Sequence, residues 1–316
     1  MLTGALMQSK GVNSRYRVSL VIPAYRDSLT LARALDSVFR QTRPADEVVL
    51  VNDNSPESEA IETILARYPV VRYFRNPVNI GLAATRNRGV ELASGDVICF
   101  LDADDECHPQ RIAMQLSILI DADAVVCDTE RVGFDAKPDR FPIVQSPRVF
   151  FYRDARRNAF ENRLTGASML IHKATFKELE GFDETLRSCE DLDFWLRLLS
   201  QGRTVARIRA PLYRYYYNPF GLSKNLNEIG KWELTVIDKH IRSGRAGNPT
   251  GLLAACLQTV WLGKQYLRSA RSADRALNKW VDSQLFRLGP WPVLKKAVWL
   301  ANWARLFHLA AFFLKR

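Results

Sequence analysis

The chain has 316 residues, 47% of them hydrophobic and 25% charged, and carries a formal net charge of +11. That is enough chain for one large α/β domain with an appendage or for two modest domains, in an ordinary globular composition. Its five cysteines are odd in number and form no CxxC pair, which argues against a disulfide framework and a cysteine-rich zinc site and for a reducing compartment.

The first elements alternate strand and helix. "RVSLVIP" (17–23) is a β-branched apolar run ending at a proline, and "SLTLARALDSVFRQ" (28–41) has helical spacing with Ser28 as its expected N-cap. "DEVVLVND" (46–53) reads as a buried strand, 56–67 as a helix, "VVRYFRN" (70–76) as a strand, 81–93 as a helix and "GDVICFLD" (95–102) as a fourth strand. This order predicts a mostly parallel sheet flanked by helices, with right-handed crossovers. Ligands gather at the carboxyl ends of such strands, which places Pro23–Tyr25, Asp53–Ser55 and Asp102–Asp105 on one rim.

A helix at 109–120 and a strand at 123–127 precede a Pro- and Arg-rich stretch, 131–163, that reads as loop. Ordered chain resumes with 166–176, 180–186, a helix from about Glu190 and an extended run at 203–217. From 230 onward the pattern is helical, basic and rich in tryptophan. Charge separates the regions: residues 1–229 hold 30 Lys/Arg against 30 Asp/Glu, and 230–316 hold 15 against 4. The start lacks the uninterrupted apolar core of a secretory signal, and no stretch of about 18 apolar residues is free of charge. A cytoplasmic protein is expected.

Two acidic groups could carry chemistry. The first βα turn, "IPAYRDS", has no glycine, and no G-x-G-x-x-G or G-x-x-x-x-G-K-[ST] follows any strand, so backbone amides do not cradle a diphosphate there. "FLDADDECHP" (100–109) instead crowds four acids at a strand end. A hard divalent ion such as Mg2+ would compensate them and bind phosphate oxygens, with Asp102 and Asp104 as ligands; a solvated turn leading into the next helix is the plain alternative. In "RSCEDLDFWLRLL" (187–199), Glu190, Asp191 and Asp193 open a helix. Favourable interaction with the helix dipole explains acids there, and so does a general base at the helix tip.

Taken together, "VSLVIPAYRDSLTLARALDSVFRQT", "EVVLVNDNSPES", "RNPVNIGLAATRNRGVELASGDVICFLDADD", "EGFDE" and "CEDLDFWLRL" resemble, in order and spacing, the family 2 inverting glycosyltransferases of GT-A fold. The resemblance covers residues 17–220 and implies a nucleotide-sugar donor, a UDP-sugar by default, with a divalent metal (Mg2+ or Mn2+). By resemblance Pro23 and Tyr25 flank the nucleobase, Asp53 hydrogen-bonds it and Arg86 lies beside it. Asp102 faces the ribose or metal, Asp104 ligates the metal, and Gly166 and Ala167 leave room for the sugar. Asp191 is the base that deprotonates the acceptor hydroxyl, supported by Glu190. The family fold gives a domain at 17–229, divided into a nucleotide-binding half (17–105) and an acceptor half (106–229), between a 1–16 tail and a basic helical region at 230–316.

Three departures stand out. "VNDNS" replaces the family's frequent "VDDGS". Asn218 occupies a position where many relatives carry histidine, leaving the third metal ligand open. The Q-x-x-R-W motif of processive members is missing, "QLFRL" (284–288) lacking the tryptophan, which implies transfer of one sugar at a time. The tyrosines of 213–217 read as packing.

In "GPWPVLKKAVWLANWARLFHLAAFFLKR" (289–316), Asn302, Arg305, His308, Lys315 and Arg316 fall within an arc of about 140°. Tryptophan beside basic residues suits an anionic membrane surface, and equally a helix packed on the domain with a solvated edge. The expected function is sugar transfer to a glycan or lipid-linked acceptor in cell-surface polysaccharide or glycoconjugate biosynthesis. The rivals are a sugar nucleotidyltransferase and a non-catalytic nucleic-acid binder; an acidic rim and the lack of a recognition motif count against nucleic acid.

Overall fold

The computed structural model describes residues 16–133, 140–155, 158, 164–218 and 226–243. Four parallel strands open it: β1 (Val18–Ala24), β2 (Glu47–Asn52), β3 (Arg72–Arg75) and β4 (Val97–Phe100). Between them run α1 (Leu31–Phe39), α2 (Ser58–Leu65) and α3 (Leu82–Leu92). Then come β5 (Glu106–Cys107), α4 (Arg111–Leu119), β6 (Ala124–Val132), β7 (Val149–Tyr152), a 3-10 turn at Gly166–Ser168, β8 (Leu170–His172), α5 (Lys173–Glu178), α6 (Glu190–Ser200), β9 (Val205–Tyr216) and α7 (Leu226–Arg242).

The strands form one mixed sheet in the order β3-β2-β1-β4-β8-β6-β9-β5, with β7 also on β9. β8 is the reversal, antiparallel to both β4 and β6, while β6 and β9 run parallel. Alternation of side chains splits the core in two. Leu20, Leu50 and Cys99 face α1, α2 and α4; Val21, Val49, Ile98 and Phe100 face the layer holding α3, α5, α6 and α7. Gly89 is required by this packing, because a Cβ there would sit 2.3 Å from Val21 Cγ1 and lift α3 off β1.

The structure corrects local details. The first helix starts at Leu31, and Ser28 does not cap it; the Asp27 carbonyl accepts from the Thr30 and Leu31 amides, while the Ser28 amide donates to Glu57. The 131–163 stretch is not all loop, since it contains β7 on β9. The strand expected at 123–127 continues to Val132. The short β5 interrupts the turn before α4. α7 begins ahead of residue 230 and joins the core through Val236 and Ile237. Residues 1–15 and 244–316, including the tryptophan-rich basic segment and "QLFRL", lie outside the described residues.

Candidate active site

Parallel pairing sets the carboxyl ends of β1, β2 and β4 on one edge, with Ala24 opposite Asn52 and Val21 opposite Phe100. At the β1 end, Pro23 is buried in the sheet and Tyr25 is half-exposed, its amide held by Asp27 Oδ2 at 2.8 Å. Arg26 adopts φ 63° and donates its amide to Ser55 Oγ, which ties the β1 turn to the β2 turn. Asn52 organises the latter, accepting from the Ser55 amide and donating to Ser58 Oγ and Tyr73 Oη. Asp53 is buried and its carboxylate accepts three donors: Asn76 Nδ2, the Ile80 amide and the Gly81 amide, at 2.8–2.9 Å. It therefore anchors the loop that leads into α3.

Small residues of α3, Ala83, Ala84 and Gly89, let that helix settle on the sheet and bring Arg86 to the rim. Arg86 is 3% exposed. Its Nη2 lies 2.5 Å from Asp102 Oδ1 and its Nη1 2.7 Å from Glu190 Oε1. One buried guanidinium thus joins the two acidic motifs that the sequence keeps far apart. Burial opposes its charge, but Asp102 and Glu190 outweigh that and hold it protonated.

Beyond β4 the acids divide. Asp105 is fully buried, taking Tyr213 Oη on Oδ2 at 2.6 Å and the Tyr216 amide on Oδ1. Tyr213 Oη also accepts the Asp102 amide; Tyr213 and Tyr216 are buried beneath the acidic turn, whereas Tyr217, read as packing like them, is exposed. Asp104 and Asp102 stay partly open. Burial, then the charge of Asp102, pushes the Asp104 carboxyl up to about 6, and Asn218 Nδ2 stands 3.5 Å from its Oδ2.

Two neighbours escaped the sequence reading. Asp27 is pushed up to about 8, by burial first and then by the charges of Asp104 and Asp102; an acid two places past Tyr25 was its only signal. Arg33 of α1 donates to the Asp104 carbonyl at 2.7 Å while its guanidinium lies 3.4 Å over the Tyr216 ring.

The second motif sits at the N-terminus of α6, whose N-cap Cys189 adopts φ 62°. Asp191 Oδ2 accepts the Gly166 amide at 3.0 Å, and Oδ1 the Leu192 amide at 2.8 Å. A Cβ on Gly166 would fall 2.8 Å from Asp191 Cβ, so only glycine lets the turn before β8 approach the carboxylate. Ala167 follows, its carbonyl accepting from the buried Arg111, which also holds the Phe100 carbonyl. Glu190 and Asp191 are both raised: burial drives each, partly offset by Arg86 and, at Asp191, by the Gly166 amide. Burial, then the charge of Asp191, pushes the Cys189 thiol up.

Thus Arg86 brings Asp102 and Glu190 together, Asp104 lies near enough to Asp102 to feel its charge, Asp191 and Gly166 stand beside Glu190, and Pro23, Tyr25 and Asp53 lie along the same edge. Among the described residues no group of three or more His, Cys, Asp or Glu side chains forms a metal cage. The partly open carboxylates of Asp102 and Asp104 offer hard oxygens of the kind a divalent ion takes, although Asp102 already pairs with Arg86.

The glycosyl transferase family 2 model matches residues 19–179. The chain is a family 2 glycosyltransferase. Its match to the uncharacterized glycosyltransferase YwdF of Bacillus subtilis is 31% identical over 212 residues, 65% of this chain and 76% of YwdF. A shorter match, to the amylovoran biosynthesis glycosyltransferase AmsB of Erwinia amylovora, is 35% identical over 108 residues, 32% of this chain and 35% of AmsB. Among solved structures, the mannosyltransferase PcManGT of Pyrobaculum calidifontis, in complex with GDP-Man and Mn2+, superposes with a TM-score of 0.59. That superposition covers 87% of this chain and 86% of PcManGT at 16% identity, which establishes the shared fold. Family membership favours sugar transfer over the nucleotidyltransferase and non-catalytic readings. Among the described residues of this glycosyltransferase no helix is long and apolar enough to cross a membrane.

Proposed function

We propose that this glycosyltransferase uses a divalent cation and inverts the anomeric centre, moving one sugar at a time from a nucleotide diphosphate to a hydroxyl. The acceptor is a glycan or lipid-linked saccharide of polysaccharide or glycoconjugate biosynthesis, in line with the name of AmsB. The observation that carries this reading is the Arg86 bridge, which sets the donor-side acid Asp102 and the acceptor-side acid Glu190 on one rigid frame.

Pro23, Tyr25 and Asp53 line the edge where a nucleobase would lie, and Asp102 and Asp104 would hold the cation. A cation held there would neutralise charge on the departing diphosphate. Asp191, its carboxyl raised above the usual range by burial, takes the acceptor proton as the acceptor oxygen bonds to the anomeric carbon. The bond from that carbon to the phosphate oxygen breaks on the opposite face, and its electron pair leaves with the diphosphate. Gly166 and Ala167 leave space for the sugar beside Asp191. One displacement needs no covalent intermediate, so the two acidic groups serve opposite faces of one carbon. A cytoplasmic enzyme whose basic C-terminal region touches an anionic membrane would meet a lipid-linked acceptor at the bilayer.

Thermal shift against UDP- and GDP-sugars, with and without Mn2+, tests the donor half, because a ligand of the folded state raises apparent stability. A donor shift that needs Mn2+ in the wild type and is lost in Asp104→Ala supports the cation site; the same shift without Mn2+ overturns it. Asp191→Asn keeps that shift and loses turnover, and near-normal turnover would falsify its assignment as base.

A further inference from the structure

Asp193 follows Asp191 by two residues on α6, so the two side chains leave the helix about 200° apart. Asp191 reaches the Gly166 turn. Asp193 points the other way, is fully buried and meets three basic side chains. Its Oδ2 accepts from Arg197 Nε at 2.7 Å, and its Oδ1 from Lys239 Nζ at 2.7 Å and His240 Nε2 at 2.9 Å. Lys239 also donates to Asp183 at 2.7 Å, and Arg197 to the Gly181 carbonyl. Burial opposes ionisation of Asp193, but the His240 hydrogen bond and the Arg197 and Lys239 charges hold its carboxyl well below the usual range.

Lys239 and His240 belong to α7, which lays Ile229, Trp232, Val236 and Ile237 against the core that α6 fills. The Ile229 carbonyl also lies 3.7 Å from Cys189 Sγ, at the N-cap of α6. The first turn of α6 is therefore held on one side by the Gly166 amide at Asp191 and by Arg86 at Glu190, and on the other at Asp193 by Arg197 and by Lys239 and His240 of α7.

We propose that Lys239 and His240 are positioning residues for the Glu190–Asp191 pair: gripping Asp193, they set the rotation of α6 and hence the seat of Asp191 against Gly166. The proposal rests on Asp191 as the base, and it gives the opening helix of the basic C-terminal region a part in transfer without contact to donor or acceptor. A purely architectural contact would cost stability alone; a positioning contact costs rate at unchanged donor affinity.

The test compares His240→Leu, which removes the donor to Asp193, with His240→Gln, which presents an amide at similar reach. Amide hydrogen exchange of the segment holding Gly166 is measured on the full chain without ligand. Turnover is followed by nucleotide release from the UDP- or GDP-sugar that stabilises the wild type. Misplacing a catalytic group by about 1 Å costs roughly a hundredfold, so His240→Leu is expected to lose about ten- to a hundredfold in kcat, with donor KM within about twofold of the wild type. The Gly166 segment exchanges faster in the same variant, and His240→Gln restores both readouts. Unchanged exchange and kcat in His240→Leu, or equal losses in both variants, overturn the proposal. Should His240→Leu fail to fold, Lys239→Met carries the test: faster exchange at Gly166 supports the grip, and wild-type protection overturns it. Asp191→Asn is assayed beside them; turnover retained there sinks the base assignment, while the exchange result still decides whether α7 fixes α6.

Discussion

Replacing Arg86 with methionine removes the one charge that joins the two acidic motifs while keeping most of the side-chain length. Breaking a buried ion pair from one side leaves an uncompensated charge and costs about 3–5 kcal/mol. The penalty does not fall equally. The Asp102 side chain is 26% exposed and regains water, whereas Glu190 is 12% exposed and stands beside Asp191, whose charge opposes its own. The coupling of Arg86 with Glu190 should therefore exceed its coupling with Asp102. Equilibrium urea unfolding measures this by double-mutant cycles, with the buried Trp195 of α6 as reporter. Arg86→Met/Glu190→Gln is expected to be less destabilised than the sum of its single variants by about 1–3 kcal/mol. Arg86→Lys rescues poorly, because an ammonium cannot present two separated N–H groups in the fixed geometry of the guanidinium fork. Additivity of the Arg86 and Glu190 variants within about 0.5 kcal/mol would refute the bridge as an energetic unit.

Two further predictions follow from particular contacts. Gly166→Ala forces a Cβ to within 2.8 Å of Asp191 Cβ; overpacking of this kind costs about 1–3 kcal/mol, and displacement of Asp191, the proposed base, should cut turnover roughly a hundredfold while sparing the donor-induced thermal shift. A wild-type rate in Gly166→Ala would show that Asp191 tolerates displacement. Glu47 carries a pH-dependent part of the stability: burial would raise its pKa, but hydrogen bonds from Ser19, Ser94 and Arg72 lower it from 4.5 to about 2. The folded value is the lower one, so its contribution is complete above about pH 4.5 and fades as pH falls toward about 2, by roughly 3 kcal/mol at most. The wild type should thus lose stability relative to Glu47→Gln in acid titrations of urea unfolding, and parallel pH curves would refute the assignment.

The parallel half of the fold was legible because strands covered on both faces read as unbroken apolar runs separated by helical spacing. β7 was not, because Phe150 and Phe151 are exposed and prolines and arginines surround them, so no alternation marks the strand. β5 was not, because its two residues are held by β9 rather than by a pattern of their own. Ser28 was misread because its spacing suits a cap, whereas the Asp27 carbonyl satisfies the helix amides instead. In the site, the acids were legible as motifs and their partners were not. Arg86 and Glu190 stand 104 residues apart, and Asp193 and His240 stand 47 apart, separations that no local spacing reveals.

The reversal of β8 explains how the two acidic motifs come to share one edge. Parallel strands deliver only their carboxyl ends to a rim, and Tyr25, Asp53 and Asp102 lie there. An antiparallel strand delivers its amino end to the same rim. With Cys99 opposite Leu170, the Gly166–Ser168 turn stands level with the end of β4, and Arg111 ties the Phe100 and Ala167 carbonyls across the seam. The amide of that turn reaches Asp191, so the acid on a separate helix is referenced to the sheet through Gly166 and to the acidic turn through Glu190 and Arg86. Neither tie fixes the far side of α6. That side meets Lys239 and His240 of α7 at Asp193, and Arg197 ties the same carboxylate to the Gly181 carbonyl, so the packing of α6 continues past residue 229.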